Sequence, residues 1–186
     1  VRLGGKTGPR PGCSTVAAFD WFWRAMGASG SRDRKRGQAT AGKAGERARE
    51  IETLDDAAVV AAARDSLRER GGETVVADEP TFLAALGVAA GRTVGLRPFP
   101  VQAQAVLRLV AGDVIQMATG EGKTLVGAMA ATGFALTGKR VHVITVNDYL
   151  AGRDAEWMRP LVEFFGLTVG SVGEDSPPAE RRAAYA

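Results

Sequence analysis

The stretch Val114-Ile115-Gln116-Met117-Ala118-Thr119-Gly120-Glu121-Gly122-Lys123-Thr124 leaves the chain few choices. A short apolar run feeds a glycine-bearing turn, and a long apolar segment, Leu125 to Leu136, follows at once. A strand, a glycine turn and a helix N-terminus in that order make a phosphate-binding loop. Gly120 and Gly122 carry no Cβ, so the backbone of Gly120, Glu121 and Gly122 can curl and aim its N–H groups at phosphate oxygens. The helix dipole adds positive potential at the same point. Lys123 has the reach for β- and γ-phosphates, and the Thr124 hydroxyl can ligate Mg²⁺. The bland alternative is a glycine-lysine turn that merely starts a helix; three coincident features weigh against it. One departure is visible: Met117 stands where the common pattern has Gly or Ala.

Charge separates the chain into two parts. Residues 1–50 hold eleven Lys/Arg against four Asp/Glu, about +7, and the other 136 hold thirteen against seventeen, about −4. The basic pI of 9.3 therefore describes a tail, and it does not make the body a nucleic-acid binder. The single cysteine, Cys13, excludes an internal disulfide and fits a reducing compartment. No signal-peptide pattern opens the chain. The longest uncharged run near the loop, Thr124 to Gly138, is too short to span a bilayer and reads as a buried helix.

Residues 1–50 read as a disordered basic tail carrying a short amphipathic helix at 16–27. Phe19, Phe22, Trp23 and Met26 fall on one helical stripe, and Arg32, Arg34, Lys35 and Arg36 follow it. Two readings stay open for that stripe: packing on the body, or lying on an anionic membrane surface through residues 14–36. The Gly, Ser, Lys, Arg and Ala of 27–50 suggest a charged linker. Structure is expected to resume near Leu54 with a helix to Arg70, stopped by Gly71-Gly72. Further helices are expected over Pro80–Ala90 and from Pro98 or Phe99 to Val110. From Gly112 the pattern alternates: strands at 114–116, 140–146 and 167–172, helices at 123–137, from an Asn147-Asp148 cap to Phe165, and at 177–185. That alternation predicts an α/β fold, a partial P-loop NTPase with a parallel sheet preceded by helices over 51–186. Three strands make a thin sheet.

The wording of the body is more specific than its periodicity. Arg97-Pro98-Phe99-Pro100-Val101-Gln102, Met117 to Thr124, Val141 to Ala151, Arg153-Asp154-Ala155-Glu156 and Phe165 to Gly170 resemble the SecA family of bacterial preprotein-translocase ATPases, in its order and near its spacing. The resemblance runs from about Leu54 to the C-terminus. Glu156-Trp157-Met158 and Glu180 to Tyr185 are similar to the accessory SecA paralogue of mycobacteria and their relatives, as is Trp23 to Ser29.

The resemblance implies a RecA-like, superfamily-2 helicase-type motor that uses ATP and Mg²⁺. It implies that Gln102 reads adenine with its planar amide, that Phe99 lies near the base, and that Met117 is ordinary at its position. Thr145 to Leu150 would couple the cleft to the rest of the motor. Pro100 stands where the family usually has Asp, which puts the geometry near Gln102 in question. The Asp-Glu pair of a later strand, which would hold Mg²⁺ and orient water, does not occur within these residues, so 186 residues alone are expected to turn over little ATP. Implied partners are the SecYEG channel and preproteins, at the inner face of the cell membrane from the cytoplasm, with no nucleic acid. A nucleic-acid helicase of the same motor superfamily and an inactive truncated product are the alternatives; the Thr145 to Ala151 wording and the acidic body argue against the helicase. His142 reads as a strand residue and Trp157 as packing.

Overall fold

A computed structural model describes residues 29–185. The amphipathic stripe at 16–27 and Cys13 lie outside the described residues. The chain divides into two compact units, Val1–Gly37 and Gln38–Ala186. The elements are α1 (Ser29–Ile51), α2 (Asp56–Asp65), β1 (Leu67–Arg70), β2 (Glu73–Val76), α3 (Glu79–Thr93), α4 (Pro100–Val110), α5 (Lys123–Leu136), α6 (Asp148–Phe164) and α7 (Pro178–Tyr185).

The expected linker at 27–50 is instead mostly helix. Its glycines weaken a helix by about 1 kcal/mol each relative to alanine, but Thr40, Ala41, Ala44 and Ile51 form a buried stripe of small and aliphatic side chains. Burial of that stripe wins over local propensity. Thr40 donates to Glu79 (3.4 Å) and the Arg47 Nε–H to the Thr81 hydroxyl (3.4 Å), both at the start of α3.

The helix expected from Leu54 to Arg70 ends at Asp65. Leu67–Arg70 turns back as a strand and pairs antiparallel with Glu73–Val76. Gly71 and Gly72, expected to be a helix stop, are the two residues of a hairpin turn with φ of +62° and +84°. Positive φ at both central positions matches the right-handed twist of the flanking strands, and only glycine adopts it without steric cost.

At the centre lies α3. Thr81 to Leu86 and Val88 to Ala90 are all buried, so it has no polar face; a helix apolar all round is a core helix. It packs against α2, α4, α5 and α6, while α4 packs on α5 and α5 on α6. The Phe82 ring lies against Gly133 of α5, where an added Cβ would come within 3.2 Å of it. Arg92 ties the end of α3 to the α1–α2 turn, donating to the carbonyls of Glu52 (2.9 Å) and Leu54 (2.6 Å) and to Asp56 (2.6 Å). Arg97 pairs with Glu52 and holds that exposed carboxyl below its ordinary range.

Asp78 caps α3, accepting from the Thr81 N–H (3.1 Å) and hydroxyl (2.7 Å). The hydroxyl bond is the main reason its carboxyl titrates below the usual range, with burial working against it. A depressed carboxyl stabilises the fold above its unfolded pKa, and that stability is lost as pH falls through the folded value. Asp78→Ala is therefore expected to cost about 1 kcal/mol at neutral pH. In urea titrations the gap between wild type and variant should narrow below about pH 3.9, the ordinary aspartate value; a pH-independent gap would mean that the carboxylate charge is irrelevant.

Among the described residues the expected parallel sheet is not seen. Residues 114–116, 140–146 and 167–172 run between the expected helices, yet among the described residues only β1 and β2 pair. Val114 is 99% exposed and Ile144 92%. Apolar β-branched runs favour extended backbone locally, whereas a parallel ladder needs partner strands with helices over both faces. The segments at 140–146 and 167–172 are held by side chains instead. Arg159 donates to the Val169 carbonyl (2.9 Å), and α7 lies beside Gly170 and His142, with the His142 and Tyr185 rings 5.3 Å apart. His142 thus lies in an unpaired segment and not in a strand. Trp157, expected to pack, is 46% exposed: Met158, Leu161 and Phe165 take the inward face of α6, and helical geometry puts 157 on its flank.

Candidate nucleotide-binding site

The loop is positioned by two packed helices. α5 begins at Lys123 and buries Leu125, Val126, Met129, Ala130, Thr132 and Gly133. That burial fixes the helix start, and with it the turn that precedes it. Gly122 caps α5 in the left-handed region (φ +76°), and Gly120 is left-handed as well (φ +85°). A Cβ at Gly120 would meet nothing, so its need for glycine is conformational. The first N–H groups of α5 have no intrahelical acceptor, as at every helix start. The turn closes through Glu121 N–H to the Ala118 carbonyl (3.3 Å).

The Lys123 ammonium donates to the carbonyls of Ala118 (2.7 Å) and Met117 (3.3 Å). No carboxylate pairs with it among the described residues. Among the described residues the charge is held by two backbone carbonyls, beside the N–H groups of a helix start; such an arrangement suits a phosphate. Thr124 is partly exposed in the first turn of α5. Among the described residues no cluster of His, Cys, Asp or Glu could hold a metal. Mg²⁺ commonly takes one or two protein oxygens and completes its shell with water and substrate phosphates. One hydroxyl from Thr124 is compatible with that pattern.

Phe99 and Gln102 open α4. Phe99 is the N-cap residue and is 70% exposed; Gln102 is buried. Gln102 Oε1 accepts from the Phe99 N–H (2.8 Å), and Nε2 donates to the Glu121 carbonyl (2.9 Å). Pro100 occupies the first helical turn, where its missing N–H would have had no partner. The replacement of Asp by Pro therefore leaves Gln102 in place. The structure brings Gln102 together with Glu121 and Gly122, and leaves the Phe99 ring free. The acceptors of Lys123 could not be found from sequence, because every residue carries the same carbonyl.

Residues 22–186 match the SecA DEAD-like domain. The chain is 59% identical over 170 residues to "Protein translocase subunit SecA 2" of Corynebacterium efficiens, covering 91% of this chain and 22% of that protein. It is 55% identical over 164 residues to "Protein translocase subunit SecA 3" of Mycolicibacterium vanbaalenii, covering 88% and 21%. With "Protein translocase subunit SecA 2" of Mycobacterium tuberculosis the identity is 52% over 168 residues, covering 88% and 20%. The chain spans about a fifth of the length of these relatives. By the match over 22–186 and by this likeness to accessory SecA proteins, the chain belongs to the SecA family and corresponds to its DEAD-like domain, which implies a helicase-type, RecA-like fold.

Proposed function

We propose that this chain supplies the ATP-binding part of a SecA-type translocase motor. In the whole protein, ATP hydrolysis would drive export of preproteins across the cytoplasmic membrane, with the SecYEG channel as partner. The observation that carries the reading is Lys123, a cation with no acid partner among the described residues, at the start of an apolar helix capped by left-handed Gly122. Lys123 would hold the β- and γ-phosphates, helped by the backbone of Gly120, Glu121 and Gly122. The Thr124 hydroxyl would be the protein's contribution to Mg²⁺. Bound Mg²⁺ would offset the negative charge that builds on the phosphates.

The base is assigned to the start of α4. The exposed Phe99 ring offers a face for adenine, and Gln102 has one amide hydrogen and one lone pair left for its edge. The working place in this reading is the cytoplasmic side, against the inner face of the membrane; among the described residues no helix is long and apolar enough to cross it.

Titration of ATP and of inorganic triphosphate into the protein carrying this chain tests the assignment. Phe99→Ala should weaken ATP about 5- to 150-fold, the equivalent of about 1–3 kcal/mol for stacking a base on an aromatic ring, and leave triphosphate unchanged. Equal losses for the two ligands would remove Phe99 from the base site.

A further inference from the structure

We propose that Gln102 is a positioning residue for the phosphate loop, holding the Glu121 carbonyl and so keeping Gly122 in its left-handed conformation before any phosphate arrives. The inference rests on the nucleotide reading above and adds a role distinct from contact with the base. The orientation of the amide is not arbitrary. Phe99 N–H can only donate and the Glu121 carbonyl can only accept, so Oε1 must face the first (2.8 Å) and Nε2 the second (2.9 Å). The residue is only 7% exposed, and its amide is hydrogen-bonded at both ends, which restrains its rotamer.

Gly122 shows how close the approach is. A Cβ there would fall 2.4 Å from Gln102 Nε2, so the amide occupies the space a side chain would need. Gly122 is required twice over, by its φ of +76° and by Gln102. Contacts from two directions therefore hold the turn. Lys123 grips the carbonyls of Met117 and Ala118 from inside, and its ammonium must turn from them to meet phosphate. Gln102 grips Glu121 from α4, nineteen residues earlier, and can stay in place when phosphate binds. Preorganisation of this kind lowers the ordering cost of binding whatever base the phosphate carries.

Three variants separate this role from base reading. Gln102→Glu keeps an acceptor for Phe99 N–H and points an oxygen at the Glu121 carbonyl in place of a donor. Gln102→Met fills a similar volume with neither hydrogen bond, which guards against a packing defect. Gln102→Ala removes both bonds and the bulk. Each should weaken inorganic triphosphate about 3- to 10-fold, the worth of one net hydrogen bond, and ATP at least as much. Amide hydrogen exchange at 119–124 should quicken in all three while the thermal midpoint of the remainder holds. Triphosphate affinity at the wild-type value in Gln102→Met and Gln102→Ala, with only ATP weakened, overturns the positioning role and leaves base reading. A wild-type protein that ignores both ligands overturns the nucleotide reading, and the positioning role with it. If Gln102→Glu does not fold, Gly122→Ala decides: its loss of triphosphate affinity should be smaller in the Gln102→Ala background, where the 2.4 Å contact is gone.

Discussion

Lys123→Ala in the protein carrying this chain is expected to lower ATP turnover by about 100- to 1,000-fold, the usual loss on removing one preorganised group aimed at developing charge. The ammonium lies at the start of α5, bonded to the carbonyls of Met117 and Ala118, and residues 117–124 hold no other Lys or Arg that could substitute. Its removal also takes away two bonds that brace Met117 and Ala118, and nucleotide affinity should fall as well. Thermal unfolding without nucleotide should change little, because the group is exposed. Steady-state ATPase assays and a nucleotide titration provide the check. Wild-type turnover in a folded Lys123→Ala protein would end the phosphate-loop assignment.

The largest effect on stability is expected at Phe82. It is among the largest fully buried side chains, on a helix enclosed on every side, and its ring fills the space that Gly133 leaves open. Phe82→Ala should cost about 3–5 kcal/mol through lost burial and the cavity left behind. Against a total of about 5–15 kcal/mol for an ordinary domain, that is a large share. Phe82→Leu, which keeps most of the volume, should cost about half as much or less. Denaturant midpoints at constant m-value give the comparison. A loss below about 1 kcal/mol for the alanine variant would show that α3 is not the centre of the core.

The two predictions draw on different kinds of information. The loop could be read directly, because its chemistry is local: glycines free the backbone, a lysine and a threonine follow, and an apolar run completes the helix. Helix starts were legible for the same reason. Asn147, expected as a cap, accepts from Leu150 N–H at 2.9 Å and starts α6, and α4 begins at Pro100, within two residues of the expected start at Pro98 or Phe99. The family wording around Gln102 and Thr145 to Ala151 was legible too, since it depends on residue identity and order alone.

Tertiary structure decided what depends on partners. Residues 27–50 read as linker because Gly, Ser and charge dominate locally, and packing of Thr40, Ala41, Ala44 and Ile51 made Ser29–Ile51 a helix. Leu67–Arg70 continued a helical pattern, but a two-glycine turn with positive φ allowed it to pair with Glu73–Val76. The parallel sheet went the other way. Alternating composition specified extended segments at 114–116, 140–146 and 167–172, and pairing them is a non-local matter that a local pattern cannot supply. Gln102 shows the same division within one residue. Its identity marked it for adenine, while its reach to the Glu121 carbonyl follows only from the packing of α4 on α5, because the acceptor is a backbone atom that no side-chain letter encodes.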